Sequence, residues 1–296
     1  MKRFLVLGIC LLMATSAFAQ QQFITIATGG TAGTYFPLGG ALADIWNKNI
    51  PKMNATAQAT GASIANINLL KGGNVDVIFT QNDVASYSYN GTELLKDQAY
   101  KDLRGMACLY NETIQLVALE SSGIKTITDL KGKKVSVGAA GSGTEANARQ
   151  ILESAGLTYN DIKVQYLSFG ESASNMKDGN IDAAFNTAGI PTAAIQDLAV
   201  SKKMVLVPID GQVATKLMAK YPFYALQIVP AGTYQGQNQN VTTVAVKSML
   251  AVSSKLSGDL VYKMLETMYA NTDRLIAAHS QGKNIKIESA LEGMSI

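Results

Sequence analysis

The sequence contains little of the chemistry that enzymes commonly use. It has 2 cysteines and 1 histidine among 296 residues. Cys10 lies in the apolar amino-terminal run, so loss of that run would leave Cys108 as a single thiol, which cannot form an internal disulfide. Apolar packing must therefore hold the fold together, even in an oxidising compartment.

Catalytic and metal-binding patterns are also scarce. His279 falls near the end of a predicted terminal helix, where a surface or interhelix position is commoner than a general base. No G-x-S-x-G motif occurs, and Ser63 lies in G-A-S-I-A. Asp76, Asp83 and Asp182 are far apart in the chain, and turn or cap positions suit Asp76 and Asp182 better than metal ligation. We therefore predict a protein that is not an enzyme, without catalytic residues, metal or cofactor.

The amino terminus predicts export. Lys2 and Arg3 precede an apolar run from Phe4 to Met13, and Ala17-Phe18-Ala19 follows it, which is the layout of a signal peptide cleaved after Ala19. Removing Lys2 and Arg3 leaves 23 basic against 22 acidic side chains, a net charge of +1. That balance attracts neither nucleic acid nor anionic membrane. No later apolar run approaches the roughly 18 residues that span a bilayer, so we expect a periplasmic protein that does not insert into the membrane.

A strand, a glycine-rich turn and a helix follow one another twice, at Ile24 to Trp46 and at Val135 to Leu152. Each copy is followed by a second matched piece, Gly72 to Phe79 and Asp178 to Phe185, with Gly, Asn, Asp and Phe at equivalent places. The chain also exceeds the usual ~100 to 200 residues per domain. Two copies of a βαβ-type unit therefore predict two facing lobes with a cleft between them.

The rest of the pattern is α/β. Short aliphatic and β-branched runs predict strands at Phe23 to Ala27, Val75 to Phe79, Gln115 to Leu119, Lys134 to Val137, Lys163 to Leu167, Ala183 to Phe185 and Met204 to Val207. The segment from Val241 to Val252 predicts a strand that leads into the start of a helix. Apolar residues at helical spacing predict helices at Pro37 to Lys48, Ser63 to Lys71, Thr144 to Ala155, Ser172 to Lys177 and Gly258 to Ala278, the last packing on the first lobe. Alternating strands and helices imply mostly parallel sheets flanked by helices.

We expect two crossing strands to join the lobes. The outward crossing is predicted around Tyr110 to Glu120 and the return around Tyr224 to Tyr234. The predicted division is a signal peptide at 1–19, a first lobe at 20–109 plus 232–296, and a second lobe at 110–231. Extended connections of this kind act as a hinge.

Four turns are candidates for a ligand site. In open parallel sheets, ligands bind at the carboxyl ends of strands, where helix N-termini favour negative charge. The turns are Thr28 to Tyr35, Thr80 to Asp83, Gly138 to Glu145 and Asn186 to Pro191. Any one of them is compatible with a simple tight connection, but their duplication around one gap favours a shared ligand.

A dinucleotide site is the alternative for the third turn. Gly141 to Ala146 fits G-x-G-x-x-A, which requires an acidic residue at the end of the next strand. That strand ends at Tyr166-Leu167-Ser168, and Asp161 lies before it. Export also argues against a nicotinamide cofactor. Arg149, in the following helix, suits a solvated helix face better than the cleft.

Seven ordered segments resemble the TAXI-type solute receptors of tripartite ATP-independent periplasmic (TRAP) transporters, over essentially the whole mature chain. They are Ala27 to Gly39, Gly61 to Asn66, Thr80 to Val84, Asp129 to Gly138, Gly141 to Glu145, Asp182 to Pro191 and Val229 to Gln237. Phe36 and Asn82 depart from the family pattern, which usually has tyrosine and serine there.

The resemblance implies a two-lobed periplasmic binding protein of the type II kind, a monomer that captures a small organic acid and docks on a TRAP permease. The expected solute is a dicarboxylate or is glutamate- or glutamine-like. With the two turn glycines, the implied ligand-binding residues are Gly30, Thr31, Thr34, Tyr35, Ser63, Gln81, Ser142, Gly143, Thr144, Glu145 and Thr187. A sensor ectodomain or a secreted enzyme using the same cleft is the alternative.

Overall fold

A computed structural model of the chain describes residues 21–296. The predicted signal peptide, residues 1–19, lies outside the described residues. The strands are β1 Gln22–Ala27, β2 Met53–Gln58, β3 Val77–Gln81, β4 Leu103–Leu119, β5 Lys134–Ser136, β6 Lys163–Gln165, β7 Ala183–Ala188, β8 Met204–Val207, β9 Ala225–Val229 and β10 Val241–Ser253.

The helices lie between these strands and after the last of them. They are α1 Tyr35–Asn49, α2 Ser63–Lys71, α3 Asn82–Asn90, α4 Gly143–Ser154, α5 Phe169–Lys177, α6 Ala193–Ser201, α7 Gly211–Lys220, α8 Gly258–Ala270 and α9 Thr272–Ala278. None of the helices between residues 21 and 296 is both long and apolar enough to cross a membrane.

The strands form one continuous sheet with two matching halves. Its order is β2-β1-β3-β10-β4-β7-β5-β6, with β9 added beside β10 and β8 beside β4. β1 pairs in parallel with β2 and β3, and β5 pairs in parallel with β6 and β7. An antiparallel strand then completes each half, β10 beside β3 and β4 beside β7. The repeated sequence pattern is therefore a structural duplication.

Two aspartates make the same bonds in the two halves. Asp76 Oδ2 accepts from the Thr25 amide at 2.8 Å, and the Asp76 amide donates to the Thr25 carbonyl at 3.0 Å. Asp182 Oδ2 accepts from the Lys134 amide at 2.8 Å, and the Asp182 amide donates to the Lys134 carbonyl at 2.8 Å. Each side chain thus ties the approach to one strand onto its parallel neighbour, which explains why both copies carry aspartate there.

Asp76→Ala and Asp182→Ala are both expected to lower the free energy of unfolding, by about 0.5 to 1.5 kcal/mol each, because each removes the acceptor of a strand amide, the half-buried Thr25 amide in the first half and the exposed Lys134 amide in the second. Urea unfolding of both variants measures this. Asp178→Ala, at an exposed position near the end of the second repeat, is the control and should cost less than about 0.5 kcal/mol. A cost as small as the control's in either half would contradict the equivalence.

Two long strands run from a hydrophobic cluster of the first half, the first core, into a cluster of the second half, the second core. β4 buries Leu109 in the first core and Leu116 in the second. β10 buries Val246 in the second core and Leu250 in the first. The predicted outward crossing lies in β4, as expected. The segment around Tyr224 to Tyr234, predicted as the return, instead contains the edge strand β9, and β10 makes the return because its apolar residues continue from one core into the other. The lobe boundaries stay a prediction.

The terminal helix is broken. Residues Gly258 to Ala278 were expected to form one helix, but Asn271 has φ −131° and ψ 37° and separates α8 from α9. The Asn271 side chain donates to the Thr267 carbonyl at 2.8 Å, an alternative to continuing the helix. Packing on the first lobe is observed, since Trp46 Nε1 donates to the Met264 carbonyl at 3.0 Å.

Candidate ligand-binding site

A cavity of about 60 Å³ lies where the turns after β1 and β5 meet the carboxyl ends of β3 and β7. A water takes roughly 10 to 15 Å³ on this measure, so the space holds a few waters or a small polar molecule. The predicted residues that line the cavity are Gly30, Thr34, Tyr35, Ser63, Gln81, Ser142, Gly143, Thr144 and Thr187. The duplicated turns therefore face each other across one space.

Two predicted residues lie outside the cavity lining. Thr31 is exposed on the first turn. The Glu145 carboxylate instead contacts Arg149 at 2.5 Å and accepts from the Tyr159 hydroxyl at 2.9 Å. The Arg149 guanidinium also stacks on the Tyr159 ring, 4.2 Å from its centre. This cluster lies beside the cleft and leaves Arg149 outside the cavity lining.

Three helices begin at the cavity. α1 begins at Tyr35, α2 at Ser63 and α4 at Gly143, and all three residues line the space. The first amides of a helix have no intrahelical acceptor and carry the positive end of the helix dipole. The residues that line this cavity include no lysine, arginine or histidine. A bound anion would therefore be held by amides and hydroxyl groups.

The backbone is strained where α2 begins. Ala62 has φ 67° and ψ −149°, a backbone conformation that residues other than glycine rarely adopt. Such a residue costs about 1 to 3 kcal/mol and persists where the surrounding structure holds it in place. Ala62 lines the cavity and sets the direction from which Ser63 enters it.

Three polar atoms at the cavity make no well-formed hydrogen bond with any of residues 21–296, although the Glu112 carboxyl lies near two of their side chains. They are Tyr35 Oη, Gln81 Oε1 and Thr187 Oγ1, on side chains whose residues are 7%, 2% and 5% exposed. Leaving a buried polar atom unpaired costs about 1 to 3 kcal/mol. The three atoms come from both halves of the duplication, so one ligand between them can satisfy all three.

Glu112, which the sequence analysis did not select, also lines the cavity. It lies in β4 and is 2% exposed. Burial raises the pKa of its carboxyl to about 8, although the nearby Tyr35 hydroxyl and Gln81 amide lower it. The carboxyl is therefore neutral at pH 7. The burial of Glu112 could have been predicted from strand alternation, because Glu112 lies on the same face of β4 as the buried Tyr110 and Ile114.

The two halves are in direct contact around the cavity. The Ala65 amide in α2 donates to the Gly141 carbonyl at 3.0 Å. The Gly189 amide donates to the Thr34 hydroxyl oxygen at 3.1 Å. The hydroxyl group of Thr34, a residue predicted to bind ligand, is therefore hydrogen-bonded to the opposite half. The arrangement is a closed cleft.

A buried polar network lies next to the cavity, between α3 and α4. Asp83 Oδ2 accepts from Asn147 Nδ2 at 3.0 Å, and the same amide nitrogen lies 2.8 Å from the Tyr224 hydroxyl. Gln150 Nε2 donates to the Tyr87 hydroxyl at 3.1 Å. Burial raises the pKa of Asp83 to about 7. These bonds join the two halves through α3, whose N-cap residue Gln81 lines the cavity, and α4, which begins at the cavity.

The two positions that depart from the TAXI pattern have no place in the cavity lining. Asn82 donates to the Gly293 carbonyl at 2.9 Å and accepts from the Lys247 amide at 3.0 Å. It fixes the C-terminal segment against β10. Phe36 is half-buried in the first turn of α1.

Two solved structures share this architecture. The periplasmic aliphatic sulphonate binding protein SsuA from Escherichia coli aligns with a TM-score of 0.52 at 17% identity, over 94% of this chain and 80% of that one. A "Putative L-Cystine ABC transporter" from Listeria monocytogenes aligns with a TM-score of 0.54 at 19% identity, over 91% of this chain and 98% of that one. The chain thus has an α/β fold like that of periplasmic binding proteins, which confirms the predicted fold class.

The sequence comparisons identify the family. Residues 26–296 match the NMT1-like family, so the protein belongs to that family. A "Putative aliphatic sulfonates-binding protein" of Escherichia coli (strain K12) is 33% identical over 121 residues, which is 41% of this chain and 33% of that protein. The match spans about a third of the length of that relative.

Proposed function

We propose that this protein is a periplasmic solute receptor that closes its two halves on a small organic acid and delivers it to a membrane permease. The observation that carries the proposal is the cavity itself. Three unpaired buried polar atoms and three helix N-termini meet there, from both halves of the duplication. The names of similar proteins, a sulphonate-binding protein among them, support the same role.

The proposed solute is a dicarboxylate or is glutamate- or glutamine-like. A carboxylate suits this cavity because helix amides and the hydroxyls of Ser142 and Thr144 are donors, and the dipoles of α1, α2 and α4 favour negative charge. The resemblance of the turns to TAXI receptors supports a TRAP permease as the docking partner. The amino-terminal sequence supports export, with a monomer released into the periplasm.

Capture follows from the division of contacts between the halves. Gln81 and Ser63 belong to the first repeat, and Thr144 and Thr187 belong to the second. Only the closed cleft brings both sets to one ligand, so a ligand that bonds to both selects the closed form. On this proposal, the lobes at 20–109 plus 232–296 and at 110–231 move about β4 and β10.

A thermal-shift panel tests the function. We expect at least one dicarboxylate or amino acid with four or five carbons to raise the midpoint of thermal unfolding, because it binds the folded state only. The same compound should reduce the radius of gyration in solution scattering. Absence of any shift across the panel, in protein first shown by native mass spectrometry to be free of ligand, would rule out this solute class.

Thr187→Val separates binding from stability. Valine keeps the shape of threonine but removes a buried hydroxyl that has no partner, so the ligand-free protein should be as stable as wild type or more stable. Affinity for the captured acid should fall by about 5- to 150-fold, the equivalent of about 1 to 3 kcal/mol. Calorimetric titration measures the affinity.

Thr215→Val is the matched control. Thr215 is exposed in α7, and its hydroxyl donates to the Gly211 carbonyl at 2.9 Å. This variant should bind the acid as wild type does. If Thr187→Val also binds it as wild type does, the cavity is not the binding site.

A further inference from the structure

Among residues 21–296, no cation balances the Glu112 carboxyl at the cavity. The side chains near it are the Tyr35 phenol of α1, the Tyr110 phenol on its own strand, Gln81 at the end of β3 and Asp83 at the start of α3. None of these is basic, and one is a second acid.

The neighbouring strands add no counter-charge. Val246 is the residue of β10 directly across from Glu112. The next residue, Lys247, has its ammonium 3.7 Å from the Glu292 carboxylate. On the other side of β4, the paired residue nearest in register is Ala188, across from Thr113. Glu112 is thus enclosed by neutral or acidic groups.

A carboxyl in such surroundings keeps its proton. Burying an unpaired carboxylate is costly, and the group takes up a proton instead of remaining charged. A protonated carboxyl has one O–H donor, and its oxygen atoms can still accept. Because Glu112 lines the cavity, that donor is available to a ligand.

We infer that Glu112 is the specificity-determining residue of this cleft, because it meets the solute as a neutral acid and donates a hydrogen bond to a carboxylate oxygen of the solute. The inference rests on the proposed function, the capture of an organic acid. The proton stays on Glu112 in this hydrogen bond and is not transferred to the solute. Helix N-termini bind one carboxylate of the solute. Glu112 can donate a hydrogen bond to the other carboxylate only while Glu112 is protonated.

The inference predicts a proton-linked affinity. Burial places the pKa of Glu112 at about 8 in the ligand-free protein, and a nearby anion raises it further. Above that pH the free receptor loses the proton and the bound receptor keeps it. Affinity for a dianion should therefore fall about tenfold between pH 7 and pH 9, with uptake of nearly one proton per ligand at pH 9.

Isothermal titration with succinate tests this at pH 7, 8 and 9, at constant ionic strength and in pairs of buffers that differ in ionisation enthalpy. Wild type should show the tenfold loss and the proton uptake. Glu112→Gln retains a donor but does not titrate, so its Kd should not change over this range and no linked proton should appear. Unfolding curves of the variant verify that it is folded.

Glu120→Gln is the matched control, an exposed acid just beyond the end of β4. It should retain the pH dependence of wild type. A Kd for succinate that is independent of pH in wild type, or an equal loss in Glu112→Gln, would overturn the inference and leave the proposed function intact.

Two further outcomes are informative. If succinate does not bind and L-glutamate binds more tightly as the pH rises through 8, Glu112 is an ionised partner of an ammonium group. That result overturns the inference while organic-acid capture stands. If no acid of four or five carbons binds at any of these pH values, both the proposed function and the inference fail.

Discussion

Glu112→Gln is expected to raise the free energy of unfolding at pH 7 and to flatten its dependence on pH between about 5 and 8. The ordinary pKa of a glutamate carboxyl is 4.5, and burial raises it to about 8 in the folded protein. Between these values the folded state holds one more proton than the unfolded state. Stability therefore declines as the pH rises, by about 1.4 kcal/mol per pH unit for this group.

The sign of the effect follows from the raised pKa. The contribution of the neutral Glu112 carboxyl to the free energy of unfolding is fully present below pH 4.5 and is lost as the pH rises toward 8. Glutamine cannot ionise, so the variant lacks this decline. Asp83, whose pKa burial raises to about 7, contributes a second decline of the same sign, which the variant keeps.

Urea unfolding at several pH values measures both slopes. Trp46 is the single tryptophan and is fully buried in the first core, so its fluorescence reports the unfolding of that half. Far-UV circular dichroism reports the whole chain. Glu120→Gln should follow wild type at every pH. Equal slopes for Glu112→Gln and wild type would show that the carboxyl is ionised in the folded protein.

Gly143→Ala should weaken solute capture by about tenfold or more, because it disturbs the closed cleft. A Cβ atom on Gly143 would lie 2.2 Å from Gln81 Oε1, across the gap between the halves. The Gln81 side chain would have to move, and both its packing and its contact with the ligand would be lost. A loss of about 1.4 kcal/mol corresponds to a tenfold change in Kd.

The first turn of α4 should tolerate alanine, so the unfolding of the ligand-free variant should remain close to that of wild type. Its particle should be larger than wild type in solution scattering when the ligand is present. Gly40→Ala is the matched control, because Gly40 is exposed in α1 and has no atom near its missing Cβ. That variant should gain about 0.5 to 1 kcal/mol in stability and bind normally. Normal binding by Gly143→Ala would contradict the closed geometry.

Local pattern was sufficient to predict the duplicated elements. The glycine turns, the apolar faces of α1 and α4, and the matched Asp76 and Asp182 recur in order. The two aspartates make equivalent hydrogen bonds, and α1 and α4 each bury their apolar face in the core of their own half. Nine of the eleven predicted site residues lie at one cavity for the same reason, since strand ends of parallel sheets meet at one edge. Their contact with a ligand remains a prediction.

The features that the local sequence pattern did not predict depend on contacts between residues in the folded chain. β2 has the sequence M-N-A-T-A-Q, whose small and polar residues form a strand because β1 pairs with all six of them. Glu112 resembles a solvated residue in the sequence, and only the packing of α1, α3 and β10 against β4 buries it. The break at Asn271 depends on a side-chain bond to Thr267 that helical periodicity does not reveal.

The antiparallel strand that completes each half comes from the other half of the chain. β4 leaves the first repeat and pairs with β7 of the second, while β10 leaves the second repeat and pairs with β3 of the first. A chain with one repeat alone would expose an unpaired strand edge, which favours pairing with another molecule. Two such chains could exchange their last strands around a twofold axis. The present protein has the connectivity of a strand-swapped homodimer joined into one polypeptide, and its cavity is lined by residues of both halves, so one asymmetric ligand can meet two different surfaces there.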